Sequence, residues 1–143
     1  MRLVLIPAFA LATFVTVTVA AQHGTGTGTH QHPEAAAKKN PVAADAKSLA
    51  EGKELYVANC ADCHGETGKG DGPMAAYTGE PLPSDLSDAE WKHGSSDGEI
   101  FKVIHEGVEN TGMKNFDKDL TEQQIWHLVN YVKSLAPKPS PAH

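Results

Sequence analysis

Three stretches of the chain repeat apolar residues at helical spacing, and none alternates them as a strand would. From Ala46 to Asn59, Leu49, Gly52, Leu55 and Tyr56 fall on one side of a predicted helix. Its start offers two caps, Ser48 with Glu51 three residues on, or Asp45. A second helix is predicted from about Gly98 to Glu106, with Ile100, Phe101 and Ile104 as its apolar face. Ser96 and Glu99 form its capping pair and Gly107 its stop. The third is capped by Thr121 and Gln124 and repeats Ile125, Leu128, Val129 and Val132 at i, i+3, i+4, i+7 until Pro137 ends it. The fold class expected is therefore all-α. Between the first two helices lies a Gly/Pro-rich stretch from Gly65 to Gly94. A loop that long is uncommon in a compact domain unless it has something other than protein to pack on.

The flanks look different. Residues 1–21 place Arg2 before an apolar run ending in Ala20 and Ala21, the pattern of a secretory signal peptide. An uncleaved membrane anchor is the alternative, because about 20 apolar residues can span a bilayer. Residues 22–45 alternate Gly and Thr, carry two prolines and lack apolar periodicity, so they are expected to be a disordered linker. His23, His30 and His32 make a loose tract there, taken as solvated rather than metal-binding. The folded domain is then 46–136, and 137–143 is a disordered tail.

Composition narrows the class. A chain of 143 residues has room for one ordinary domain. Lys+Arg is 12 against Asp+Glu 18, so the net charge of -6 argues against nucleic acid as partner. From Ala46 to Ala136, 8 lysines face 16 carboxylates, a net of -8. An aromatic share of 6% is thin for a core, and 2 cysteines are too few for a disulfide scaffold.

The two cysteines carry the chemistry. Cys60, Cys63 and His64 stand in NCADCHG, directly after the first helix. Two thiols at i and i+3 followed at once by histidine form the haem c attachment pattern. One turn of chain puts both sulfurs on one side, each to form a thioether with a vinyl group, and the adjacent imidazole faces the iron. A thioredoxin-like dithiol would need strands, a zinc site more ligands, and a disulfide across two residues would be strained. For the other face of the iron, Met113 in NTGMKNF lies far enough along the chain to reach, whereas Met74 is tethered ten residues after His64. His105 and His93 stand as alternatives, with the ring of His105 expected to face solvent. Asp85 and Asp88 are taken as a solvated loop pair rather than an acid–base pair.

These residues resemble the class I cytochromes c over Ala46 to Ala136: three main helices and a long loop wrapped around one covalently bound haem. Gly52 and Tyr56, with Leu128 and Tyr131, resemble the family's contact between its N- and C-terminal helices. The runs GETGKGDGP and PLPSDL are similar to the bacterial branch that includes cbb3-type oxidase subunits and small cytochromes of periplasmic dehydrogenases. The resemblance implies that Pro73 offers its carbonyl to the His64 ring N–H, that Leu82 and Leu86 press on the haem face, and that Trp91 approaches a propionate. Lys114 follows Met113 where many relatives have proline, which leads one to expect a less rigid ligand loop.

The function expected is one-electron transfer by an exported, periplasmic protein. No nucleophile or substrate pocket is legible, so the chain is not expected to be an enzyme by itself. Its partners are expected to be redox proteins with a basic or apolar docking patch, with membrane contact only if the N-terminal segment is uncleaved. A haem subunit tethered to or bound in a dehydrogenase or terminal oxidase is the alternative. A haem-based sensor would require Met113 to be displaced.

Overall fold

The computed structural model describes residues 32–88 and 90–137. The expected signal segment, His23, His30 and the tail beyond Pro137 lie outside them. Among the described residues there is no strand, and no helix is long and apolar enough to cross a membrane. The helices are α1 (Pro33–Ala36), α2 (Ala46–Asn59), α3 (Ala61–His64), α4 (Asp97–Glu106) and α5 (Glu122–Leu135), with a 3-10 turn at Ala75–Tyr77.

The core is the crossing of α2 and α5. Gly52 is what lets the helices meet: a Cβ there would collide with the carbonyl oxygen of His127. Beside it, Tyr56 is fully buried, packs against Tyr131 with ring centroids 5.2 Å apart, and donates its hydroxyl to the Gly65 carbonyl at 2.8 Å. Ile125, Leu128 and Val129 fill the other side of the contact, fully buried. α4 packs its Phe101 on Trp126 of α5 at 4.1 Å between centroids.

Helix ends follow local chemistry. Both expected capping boxes form, Ser96 with Glu99 and Thr121 with Gln124. At α2, Asp45 is the cap: its side chain accepts from the Ser48 N–H at 2.8 Å. Ser48 is instead 2% exposed inside the contact, where its Oγ meets His127 Nδ1 at 2.9 Å and accepts from Asn130 Nδ2 at 2.8 Å. His127 Nε2 faces the Glu51 carboxylate at 3.0 Å. A hydroxyl recruited by a buried histidine and asparagine is not free to cap.

The disordered linker expected over 22–45 needs correction from His32 onward. That stretch is a strap packed on α4 and α5. Asn40 Nδ2 donates to the Trp126 carbonyl at 3.0 Å and to Asn130 Oδ1 at 2.8 Å. Asn130 Nδ2 in turn donates to the carbonyls of Val42 and Ala43. Lys38 lies 3.9 Å over the Phe101 ring, and Lys102 pairs with Glu34 at 3.6 Å. The strap is held by hydrogen bonds and cation–π contact, which leave no apolar period in the sequence to announce them.

Candidate functional site

α2 ends at Asn59, and Cys60 is the N-cap residue of the single-turn α3, so both thiols and His64 are delivered within about one helical turn of the end of α2. They line a cavity of about 320 Å³ whose walls include Leu86, Ile100, Val103, Ile104, Phe116 and Val132. Leu82, Trp91 and Met113 line the same cavity. Seven of the eight residues expected at the site therefore meet at one largely apolar space, which is at the lower end of the size range of ligand pockets.

Pro73 is the exception. It is exposed and lies away from the cavity. The turn around it is spent on the outer side of α3, with Gly72 N–H donating to the Cys63 carbonyl and Met74 N–H to the Asp62 carbonyl. The ring N–H of His64 goes to Ser84, whose carbonyl accepts from Nδ1 at 3.1 Å. Ser84 is presented by a loop tied to the 65–70 turn, where Leu86 N–H donates to the Gly68 carbonyl. A backbone carbonyl carries no side-chain signature, so nothing in the sequence points to Ser84.

Burial shapes the protonation of the polar groups at the cavity. Burial pushes the imidazole pKa of His64 down, partly opposed by the Ser84 hydrogen bond, so the ring is disposed to be neutral. With Nδ1 protonated toward Ser84, Nε2 keeps its lone pair free for a metal. Burial, and next the neighbouring Cys63, push the Cys60 thiol up to about 12. Neither cysteine is in a disulfide.

The other candidates separate by position. Met74 is 47% exposed and away from the cavity. His105 also lies away from it and stacks on Phe101 at 5.5 Å between centroids, half-buried rather than facing solvent. His93 does line the cavity, and its ring stacks with His32 of the strap at 6.4 Å. The carboxylates of Asp85 and Asp88 each cap their own short turn, accepting from the N–H of Ser87 and Glu90. Lys114, which follows Met113, makes two contacts of its own. Lys114 Nζ pairs with Asp119 at 2.7 Å and lies 4.7 Å over the Phe116 ring, which is 4% exposed.

The donor set identifies the kind of group that fits. One imidazole and one thioether are too few to hold a bare ion, but they complement an iron that arrives with the nitrogens of its own macrocycle. Two thiols one turn apart at the same cavity supply the covalent attachment.

Comparison with known proteins agrees. The family model described as Cytochrome c matches residues 49–136. The cbb3-type cytochrome c oxidase subunit CcoP of Azospirillum sp. (strain B510) is 33% identical over 107 residues, spanning 66% of this chain and 33% of its own. The subunit FixP of Sinorhizobium medicae (strain WSM419) is 30% identical over 104 residues, spanning 67% and 33%. The chain thus covers about a third of the length of these curated relatives. Among solved structures, the reducing HAO-like protein complex of Kuenenia stuttgartiensis aligns with a TM-score of 0.64 and 30% identity, covering 68% of this chain and 47% of that one. Cytochrome cL of Methylophaga aminisulfidivorans shares the fold at a TM-score of 0.53 and 24% identity, covering 63% and 54%.

Proposed function

The chain belongs to the cytochrome c family and binds one haem c covalently, and we propose that it is a one-electron carrier with His64 and Met113 as the axial ligands. The observation that carries this reading is the meeting of Cys60, Cys63, His64 and Met113 at one apolar cavity. When bound, haem c supplies a single iron that takes up and releases one electron. The rest is the work of the chain. Cys60 and Cys63 would hold the porphyrin through two thioethers. His64 would offer Nε2 to the metal because Nδ1 is committed to Ser84, a hydrogen bond that would also raise the ligand's basicity. As a ligand, the Met113 thioether would favour the reduced metal and raise the potential. Ile100, Ile104 and Phe116 give the cavity an apolar wall that would exclude water and lower the local dielectric, and Leu82, Leu86 and Trp91, which line the same cavity, would pack against the bound group.

The partner is a redox protein that meets the rim of the cavity. Leu82 is 51% exposed although it lines the cavity, and Tyr77 in the preceding turn is 80% exposed. An apolar rim on a domain with a net charge of -8 suits a docking patch that is basic or apolar. Export to the periplasm belongs to the same proposal. A second reading, a haem subunit held within a larger complex, is favoured by the relatives' being subunits of cbb3-type oxidases. N-terminal sequencing of the exported protein separates the two: an intact Arg2 supports the tethered subunit, a processed terminus the free carrier.

Redox titration of two variants tests the ligand assignment. Met113→Ala opens the site and lowers the potential, while Met74→Ala leaves both unchanged. The opposite pattern would reassign the ligand.

A further inference from the structure

We propose that Thr111 is the positioning residue for Met113, its hydroxyl closing the 107–113 loop into a fixed turn that holds the thioether at the cavity. The inference rests on the reading of Met113 as an axial ligand. The loop leaves α4 at Gly107 with φ 73° and turns again at Asn110 with φ 58°. It then closes on itself. Val108 N–H donates to the Met113 carbonyl at 3.0 Å. The Thr111 hydroxyl donates to the Val108 carbonyl at 2.8 Å and accepts from the Met113 N–H at 3.1 Å.

One side chain thus spends its donor on one end of the turn and its acceptor on the ligand's own backbone. Gly107 makes the closure compact, since a Cβ there would lie 2.7 Å from the Met113 carbonyl oxygen. Downstream the turn is pinned by Phe116, whose N–H donates to the carbonyl of Ile104 at 3.2 Å and of His105 at 3.3 Å. Thr111 itself is half-buried at the cavity wall. An iron–thioether bond must compete with any small ligand that enters. A loop already ordered before the bond forms loses less entropy in forming it, so closure by Thr111 favours the methionine in that competition. Thr111 acts only through Met113.

The test uses the full-length ferric holoprotein titrated with imidazole, following the far-red charge-transfer absorption of a methionine-ligated haem. Thr111→Val keeps the branched shape and removes the hydroxyl, Thr111→Ser keeps the hydroxyl, and Thr111→Ala serves if the valine variant fails to fold. The variants lacking the hydroxyl should lose the band at about tenfold lower imidazole than wild type, and the serine variant should match wild type. A residue with a merely structural role would shift the melting temperature without moving the imidazole titration. Unchanged imidazole affinity in the valine or alanine variant overturns the proposal while leaving Met113 as ligand. A wild-type protein without the band, unaltered by Met113→Ala, overturns both.

Discussion

Asn40 is the point at which the strap can be cut with a single substitution. In Asn40→Ala the strap loses the bonds from Nδ2 to the Trp126 carbonyl and to Asn130 Oδ1, and the bond from Val42 N–H to Oδ1. Each such bond is worth about 1 kcal/mol net. Asn40 is only half-buried, so water replaces part of what is lost, but Asn130 is 8% exposed and its Oδ1 is left short of a donor. A loss of about 2 kcal/mol follows, which for a domain of this size lowers the melting temperature by about 10 °C. Asn130→Ala removes the other side of the same network, so the double variant should be less destabilised than the sum of the singles, with a coupling of about 1 kcal/mol. Thermal and urea unfolding of the holoproteins, followed by far-ultraviolet circular dichroism, measures both quantities. A shift under about 2 °C, or strict additivity, would refute the strap as part of the fold.

Other outcomes follow from single contacts. Gly52→Ala drives a methyl group into the His127 carbonyl and should cost about 3 kcal/mol or more, read from urea midpoints. The Ser96 hydroxyl and then its backbone N–H hold Glu99 below the usual carboxylate range, with burial opposing. A depressed carboxylate contributes stability that is present above its unfolded pKa and lost as pH falls through the folded one. Ser96→Ala should therefore cost about 1 kcal/mol at neutral pH and flatten the decline in stability on acidification, measured by urea unfolding from about pH 6 to about pH 3. Electron exchange with a basic redox partner should slow as salt rises, because the attraction is screened. Stopped-flow rates that stay constant or increase with ionic strength would exclude a steered encounter.

Features with a local cause are legible in the sequence. Ser96 with Glu99 and Thr121 with Gln124 act across three residues, so both helix starts can be read directly. Cys60, Cys63 and His64 are adjacent for a chemical reason, and their spacing alone announces the cofactor. The causes that stay hidden join distant parts of the chain. Asn40 and Asn130 are 90 positions apart, and Ser48 and His127 are 79 apart. Ser48 therefore reads as a cap and 32–45 as a linker. Pro73 misleads for another reason: any residue can present a backbone carbonyl, and here the loop geometry selects Ser84. The scarcity of aromatic residues is half an answer. Tyr56, Phe101, Phe116 and Trp126 do build a core, and the space beside it is lined by the haem-attachment residues.

The most direct test of a carrier built on Cys60, Cys63, His64 and Met113 is the optical spectrum of the purified full-length protein, oxidised and then reduced. The expected result is the narrow reduced α-band of a haem held by two thioethers and, in the oxidised form, the far-red band of methionine ligation. Absence of haem absorption, or an oxidised spectrum of an open, high-spin iron at neutral pH, would contradict it.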